Sequence, residues 1–127
     1  MSTTTTMNEK PKQTNAYLVK ICERSPSSGA EYWYEATCLS LEGASQYLNS
    51  LLNALALDYN YPEDWDKEDM GGADWPSPDL FSVENLTKQL EVNKKNCGHD
   101  TPIWGPESDS QVQVPLEFFI KTTVVYS

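Results

Sequence analysis

The stretch from residue 112 to residue 126 alternates apolar and polar side chains, and it constrains the fold more than any other part of the chain. A period of two places successive side chains on opposite faces of an extended strand, here with Glu117 and Lys121 opposite the apolar face. Pro115 cannot donate a ladder hydrogen bond, so the strand is predicted to lie at a sheet edge or to contain a bulge. A strand is not stable alone, so the chain must provide others to pair with it.

Residues 15–24 and 31–39 are predicted to be those other strands. Val19 and Ile21 lie two positions apart in the first of them, on one face, and both stretches are rich in β-branched or aromatic residues. Residues 25–30 read Ser-Pro-Ser-Ser-Gly-Ala, a cluster typical of a turn. The pattern predicts a β-hairpin with a loop of about six residues.

The second strand has three consecutive aromatic residues, Tyr32, Trp33 and Tyr34, which place bulk on both of its faces. The favoured interpretation puts one side in the core and leaves the other half covered. If the outer face is bare, these side chains form a contact patch or a dimer surface.

Two helices are predicted between the hairpin and the last strand. Ser40 is a candidate N-cap for the first helix, which should end near Asp58 because Pro62 prevents continuation. Its apolar side chains form one stripe with a helical period: Leu41, Ala44, Leu48, Leu51, Leu52 and Leu55. A second, shorter helix begins near Ser82, with Gly98 as a plausible C-terminal stop.

The predicted order is therefore β-β-α-loop-α-β. We expect an α+β fold in which a three-stranded antiparallel sheet, in the order 2-1-3, has two helices on one face. Residues 1–13 are Thr-rich and polar and are predicted to be a disordered tail, so residues 14–127 form a single domain. A long loop, residues 58–81, joins the two helices, and loops of this length are often functional.

Most of the chain's acidity lies in this loop. Residues 58–79, which we call the acidic segment, hold eight of the 19 acidic residues and one basic residue, Lys67. The segment has a net charge of −7, out of −10 for the whole chain. Like charges at this density repel one another and cost stability, so a uniform solubilising coat is a poor explanation. The same segment also contains two tyrosines and two tryptophans.

Tyr and Trp are frequent anchors of protein interfaces, and complementary charge speeds association. We therefore predict that the acidic segment docks on a basic protein, with Trp65 and Trp75 as inserted anchors. The alternative is a solvated loop whose tryptophans pack back on the core. The predicted partner-binding residues are Tyr59, Tyr61, Glu63, Asp64, Trp65, Asp66, Glu68, Asp69, Asp74 and Trp75.

Several other classes of function find little support. No apolar run approaches the roughly 18 residues of a membrane span, and the first residues do not resemble a secretory signal, so a cytoplasmic location is expected. The negative charge disfavours direct contact with nucleic acid or anionic lipid. No motif for a phosphate, nucleotide or metal is present, so no cofactor is predicted.

Two weaker patterns lie within residues 58–69 and 97–100. Spacing within residues 58–69 resembles a calcium loop, but Glu63 replaces the required glycine and Asp69 the required glutamate, so no metal is predicted. Cys97, His99 and Asp100 are close in sequence, which alone rarely produces catalytic geometry. The three cysteines are expected to be buried and reduced.

The leading hypothesis is a small acidic inhibitor that covers a basic surface of a nuclease or of another nucleic-acid-handling or defence complex. Its carboxylates would mimic nucleic-acid phosphates, as in an immunity protein or a phage- or plasmid-encoded inhibitor. The alternatives are a small enzyme with a carboxylate site or a Cys97/His99 site, and a structural subunit that forms homo-oligomers.

Overall fold

A computed structural model of the protein describes residues 12–24, 30–65, 74–97, 101–104 and 116–126. The fold is α+β, as predicted. Three strands and two α-helices follow one another along the chain, with one short 3₁₀ helix before the second α-helix. They are β1 (Gln13–Arg24), β2 (Glu31–Cys38), α1 (Leu41–Asp58), the 3₁₀ helix (Pro78–Phe81), α2 (Val83–Lys95) and β3 (Leu116–Tyr126).

The sheet is antiparallel and has the order β2-β1-β3, which confirms the predicted topology. Strand β1 lies in the centre, where Val19 pairs with Ala36 of β2 and with Ile120 of β3. Ile21 in turn lies between Tyr34 and Phe118. These register positions place Val19, Ile21, Phe118 and Ile120 on one face, against the helices.

The core fills the space between that face and the helices. Apolar side chains that are almost completely buried come from both β1 and β3, from both α-helices and from the 3₁₀ helix. The buried side chains of α1 are four members of the predicted stripe: Ala44, Leu48, Leu52 and Leu55. Phe81 of the 3₁₀ helix contacts Phe118 of β3, with ring centroids 4.9 Å apart, and Leu86 of α2 belongs to the same core.

Side chains and backbone groups define the helix ends. Ser40 Oγ accepts a hydrogen bond from Gly43 N at 3.0 Å, and Ser82 Oγ accepts one from Asn85 N at 3.2 Å, as expected of N-caps. Helix α2 differs from the prediction at its other end. Cys97, with a φ of 59°, adopts the left-handed conformation expected of Gly98, which lies outside the described residues.

Some other predicted boundaries fall on residues that are not described. Strand β3 is described from Leu116, so the predicted strand residues 112–115, including Pro115, lie outside it. Residues 1–11 of the predicted tail also lie outside, and β1 begins at Gln13. No helix in the described part of the chain is long and apolar enough to cross a membrane.

The three aromatic residues of β2 correct one interpretation. Tyr32, Trp33 and Tyr34 are 53%, 46% and 40% exposed, so neither side of this triplet enters the core. The helices instead reach the far end of β2, where Ala36 and Cys38 pack against the core.

Candidate partner-binding site

The acidic segment begins in a hydrogen-bonded turn that ends helix α1. Asn60 has a φ of 53°, its N–H donates to Leu57 O at 3.1 Å, and the N–H of Tyr61 donates to Ala56 O at 2.8 Å. This pair of bonds is a Schellman motif, with asparagine in the position that glycine usually takes. Asn60 also donates through its side chain to Asp64 Oδ2 at 3.2 Å, which fixes the carboxylate over the turn.

Aromatic side chains from distant parts of the chain meet beside this turn. Trp75 stacks on Tyr61 with ring centroids 5.1 Å apart, and it meets Trp65 edge-on at 4.9 Å. Tyr59 lies 6.4 Å from Trp75, and Trp104 lies 6.2 Å from Trp65. We call these five residues the aromatic cluster.

The aromatic cluster is attached to the core through Trp104. The Trp104 ring lies 5.9 Å from Phe118, which in turn contacts Phe81 at 4.9 Å. Backbone bonds hold the segment beside β3, because Ile103 N donates to Phe118 O at 2.6 Å and Phe118 N donates to Trp104 O at 3.1 Å. Trp104 is not among the partner-binding residues predicted from the sequence.

Carboxylates and tryptophans line the same groove. Asp74, Trp75, Asp79 and Trp104 all border a depression of about 530 Å³, together with Leu80. Both aspartates are exposed, while both tryptophans are half-buried. Acidic groups beside indole rings match the needs of a Lys or Arg side chain, which gains both charge pairing and a cation–π contact.

A tyrosine–carboxylate contact connects this site to the sheet. Tyr59 Oη donates a hydrogen bond of 2.7 Å to Glu23 Oε2. Burial, followed by this hydrogen bond, raises the pKa of Tyr59. The negative charge of Glu23 is also the main cause of a raised pKa at Tyr34, with smaller effects of burial and of Asp58. Glu23 also pairs with Tyr32 in the register, so the exposed end of β2 lies beside the carboxylate that Tyr59 contacts.

The predicted partner-binding residues occupy three kinds of position. Tyr61, Glu63, Asp64 and Asp74 are exposed. Tyr59, Trp65 and Trp75 are half-buried, and Trp75 packs against the core as the alternative interpretation expected. The remaining three lie outside the described residues: Asp66, Glu68 and Asp69.

The structure describes only some of the side chains that were considered for catalysis or metal binding. Among the described residues, no three His, Cys, Asp or Glu side chains form a metal-binding group. Cys22 is buried, as expected, but Cys38 is only partly buried and Cys97 is exposed, because Cys97 lies in the turn after α2. His99 and Asp100 lie outside the described residues.

A larger cavity of about 700 Å³ lies between α2 and the sheet. Among the described residues, its charged lining residues are Glu91, Lys94 and Lys121, so no pair of described carboxylates borders it.

No protein-family model matches the chain, and neither a curated protein nor a solved structure shows significant similarity to it.

Proposed function

We propose that the protein is a binding or inhibitory protein that covers a basic surface of a partner protein, and that the acidic segment is its contact surface. The observation that supports this most directly is the groove in which Asp74 and Asp79 adjoin Trp75 and Trp104. It combines the charge and the aromatic surface that a Lys or Arg side chain needs.

The cost of these charges is a second argument. Asp58 is the last residue of α1, whose final turn contains no basic residue, so its carboxylate faces the negative end of the helix dipole. Glu63 and Asp64 add two exposed carboxylates in the next turn of chain. An arrangement that weakens the free protein is expected where a basic partner relieves the repulsion.

The contact geometry refines how the tryptophans would act. Trp65 and Trp75 contact each other and the rest of the aromatic cluster, so they are better suited to form a rigid apolar floor than to insert into the partner. Tyr61, which is 41% exposed, is the better anchor. Partner cations would enter the groove between Asp74 and Asp79.

The partner class that fits best is a nuclease or another nucleic-acid-handling or defence complex. Such proteins have basic grooves for phosphates, and closely spaced carboxylates can occupy them as phosphate mimics. Inhibition would then follow from occlusion, without any chemical step and in any compartment that the two proteins share, the cytoplasm being the expected one.

A capture experiment with matched variants tests this proposal. Wild type and the Asp64→Lys/Asp79→Lys variant are used to capture proteins from the native host, with Glu84→Lys/Glu91→Lys on α2 as a control of equal net charge. We expect wild type and control to retain a basic nucleic-acid-binding protein whose activity they inhibit, and the Asp64→Lys/Asp79→Lys variant to lose it.

Retention of the same protein by wild type and by both variants would contradict the role of the acidic segment. The alternative classes, an enzyme or a homo-oligomeric subunit, would then have to be tested, by activity screening and by measuring the mass of the protein in solution.

A further inference from the structure

Within the part of the chain that the structure describes, strand β2 has an unpaired outer edge. It pairs with β1 on one side, and no described strand pairs with the other side. Edge strands are usually protected from further pairing by lysine, proline, a bulge or short length. The eight residues of β2, Glu31–Cys38, include neither lysine nor proline, and their pairing with β1 is continuous.

The longest exposed run of this strand is at its start. Residues 31–35 are all exposed, including Tyr32, Trp33 and Tyr34. Tyr32 and Tyr34 lie on the face that holds the helices, whereas Glu31, Trp33 and Glu35 lie on the opposite face, because side chains alternate along a strand. An added strand would therefore find aromatic surface on both of its faces.

The charged residues on the face opposite the helices indicate which side chains an added fourth strand should carry. The register pairs Lys20 of β1 with Glu35 of β2, and Glu31 lies on the same face of β2 as Glu35, so a basic residue on β1 is followed by two acidic residues on β2. Lys20 Nζ lies 5.7 Å from the centroid of Trp33, which shows that this surface accommodates an ammonium group beside an indole ring. Opposite charges on neighbouring strands attract, so the next column favours Lys or Arg.

We propose that the outer edge of β2 accepts, as a fourth strand, an extended segment of the partner in which Lys or Arg occupies alternate positions. This inference rests on the proposed function and names the element of the basic partner that is recognised. A second copy of this chain fits poorly, because it would bring Glu31, Glu35 and a further net charge of −10 to the same edge.

The test uses the full chain and a synthetic, end-capped peptide in which Lys alternates with Thr. A peptide of the same composition, with its lysines in one block, is the ligand control. Glu31→Gln/Glu35→Gln is the edge variant, and Glu84→Gln/Glu91→Gln on α2 is the protein control of equal charge. Binding is measured by titration, and amide hydrogen exchange locates it.

We expect the alternating peptide to bind wild type and the α2 control more tightly than the block peptide does. Loss of two cross-strand charge pairs should weaken its binding to the edge variant roughly fivefold. New protection should appear at alternate amides of residues 31–38, because only strand pairing occupies every second N–H of an edge.

Equal binding of the two peptides would overturn the inference, as would protection confined to residues 59–65. In the second case the acidic segment itself would bind the peptide, so the proposed function would stand without the edge. If the edge responds as expected but Asp64→Lys/Asp79→Lys still captures the native partner, the role of the acidic segment falls instead.

Discussion

The Tyr59 hydroxyl donates a hydrogen bond of 2.7 Å to the Glu23 carboxylate, across 36 positions of sequence. The contact joins the turn after α1 to the end of β1, and so connects the acidic segment to the sheet. Both side chains are partly buried, which weakens competition from water.

Replacing Tyr59 with phenylalanine should destabilise the protein. The change removes one hydrogen bond to a charged group, so we expect the free energy of unfolding to fall by about 1.5 kcal/mol. Urea denaturation measures it. Tyr126→Phe is the control, because Tyr126 is 61% exposed, and it should change the stability by less than about 0.5 kcal/mol. Equal losses of stability in the two variants would show that the hydrogen bond from Tyr59 to Glu23 does not stabilise the protein.

The same contact predicts a loss of stability at alkaline pH. Burial and the hydrogen bond to Glu23 raise the pKa of Tyr59 above its usual value of 10.0, so the folded protein holds this proton more tightly than the unfolded chain does. The resulting stabilisation is complete below about pH 10 and is lost as the pH rises further, towards the folded-state pKa. Urea denaturation below and above about pH 10 should therefore show that the free energy of unfolding falls as the pH rises. The fall should be less steep in Tyr59→Phe. An unchanged slope would contradict the prediction.

Replacing Asp58 with asparagine should stabilise the free protein. Its charge lies at the unfavourable end of α1, and removal should raise the free energy of unfolding by about 0.5 kcal/mol, mostly at low salt. Glu42 lies in the first turn of the same helix, where a negative charge is favourable, so Glu42→Gln should have the opposite sign. Shifts of the same sign in both variants would show that the helix dipole is not the cause.

Asn93 is the buried polar residue of α2, and its removal should be costly. Its side chain donates to Ile120 O at 2.8 Å and accepts from Thr101 N at 3.3 Å, so it joins α2 to β3 and to residues 101–104. Asn93→Ala would leave these buried groups unpaired, and we expect a loss of about 2 kcal/mol. Asn96→Ala, at an exposed position nearby, should cost clearly less. Thermal denaturation compares the two.

Charge reversal in the acidic segment should act mainly on the rate of association. With the native partner, Asp64→Lys/Asp66→Lys/Asp69→Lys should slow association by about tenfold or more and flatten its dependence on salt. Stopped-flow mixing over a range of salt concentrations measures this. An unchanged association rate would rule out electrostatic docking through these residues.

The secondary structure could be predicted largely from local patterns. The alternation of Val19 and Ile21 and the stripe of Leu48, Leu52 and Leu55 are each set by the period of one element, and Ser40 and Ser82 cap the helices through neighbours three residues away. The strand order could also be predicted, because a central β1 can pair with both of the other strands.

The site could be predicted only in part, because its contacts join distant segments. The charge of the acidic segment is visible in the sequence, but the meeting of Trp65, Trp75 and Trp104 depends on how three separate stretches pack. The end of α1 was attributed to Pro62, whereas Asn60 already ends the helix through its left-handed conformation. Asparagine is a weaker signal than glycine for that geometry.

The pairing of β1 with β3 has a consequence for how the protein forms. Gln13 pairs with Tyr126, so the central strand is made long before its second neighbour. The hairpin and α1 can form before residues 116–126 have been synthesised. The hydrophobic core cannot close until those residues have emerged from the ribosome. Contacts this distant in sequence slow folding, so the protein is expected to fold over roughly milliseconds to seconds rather than microseconds.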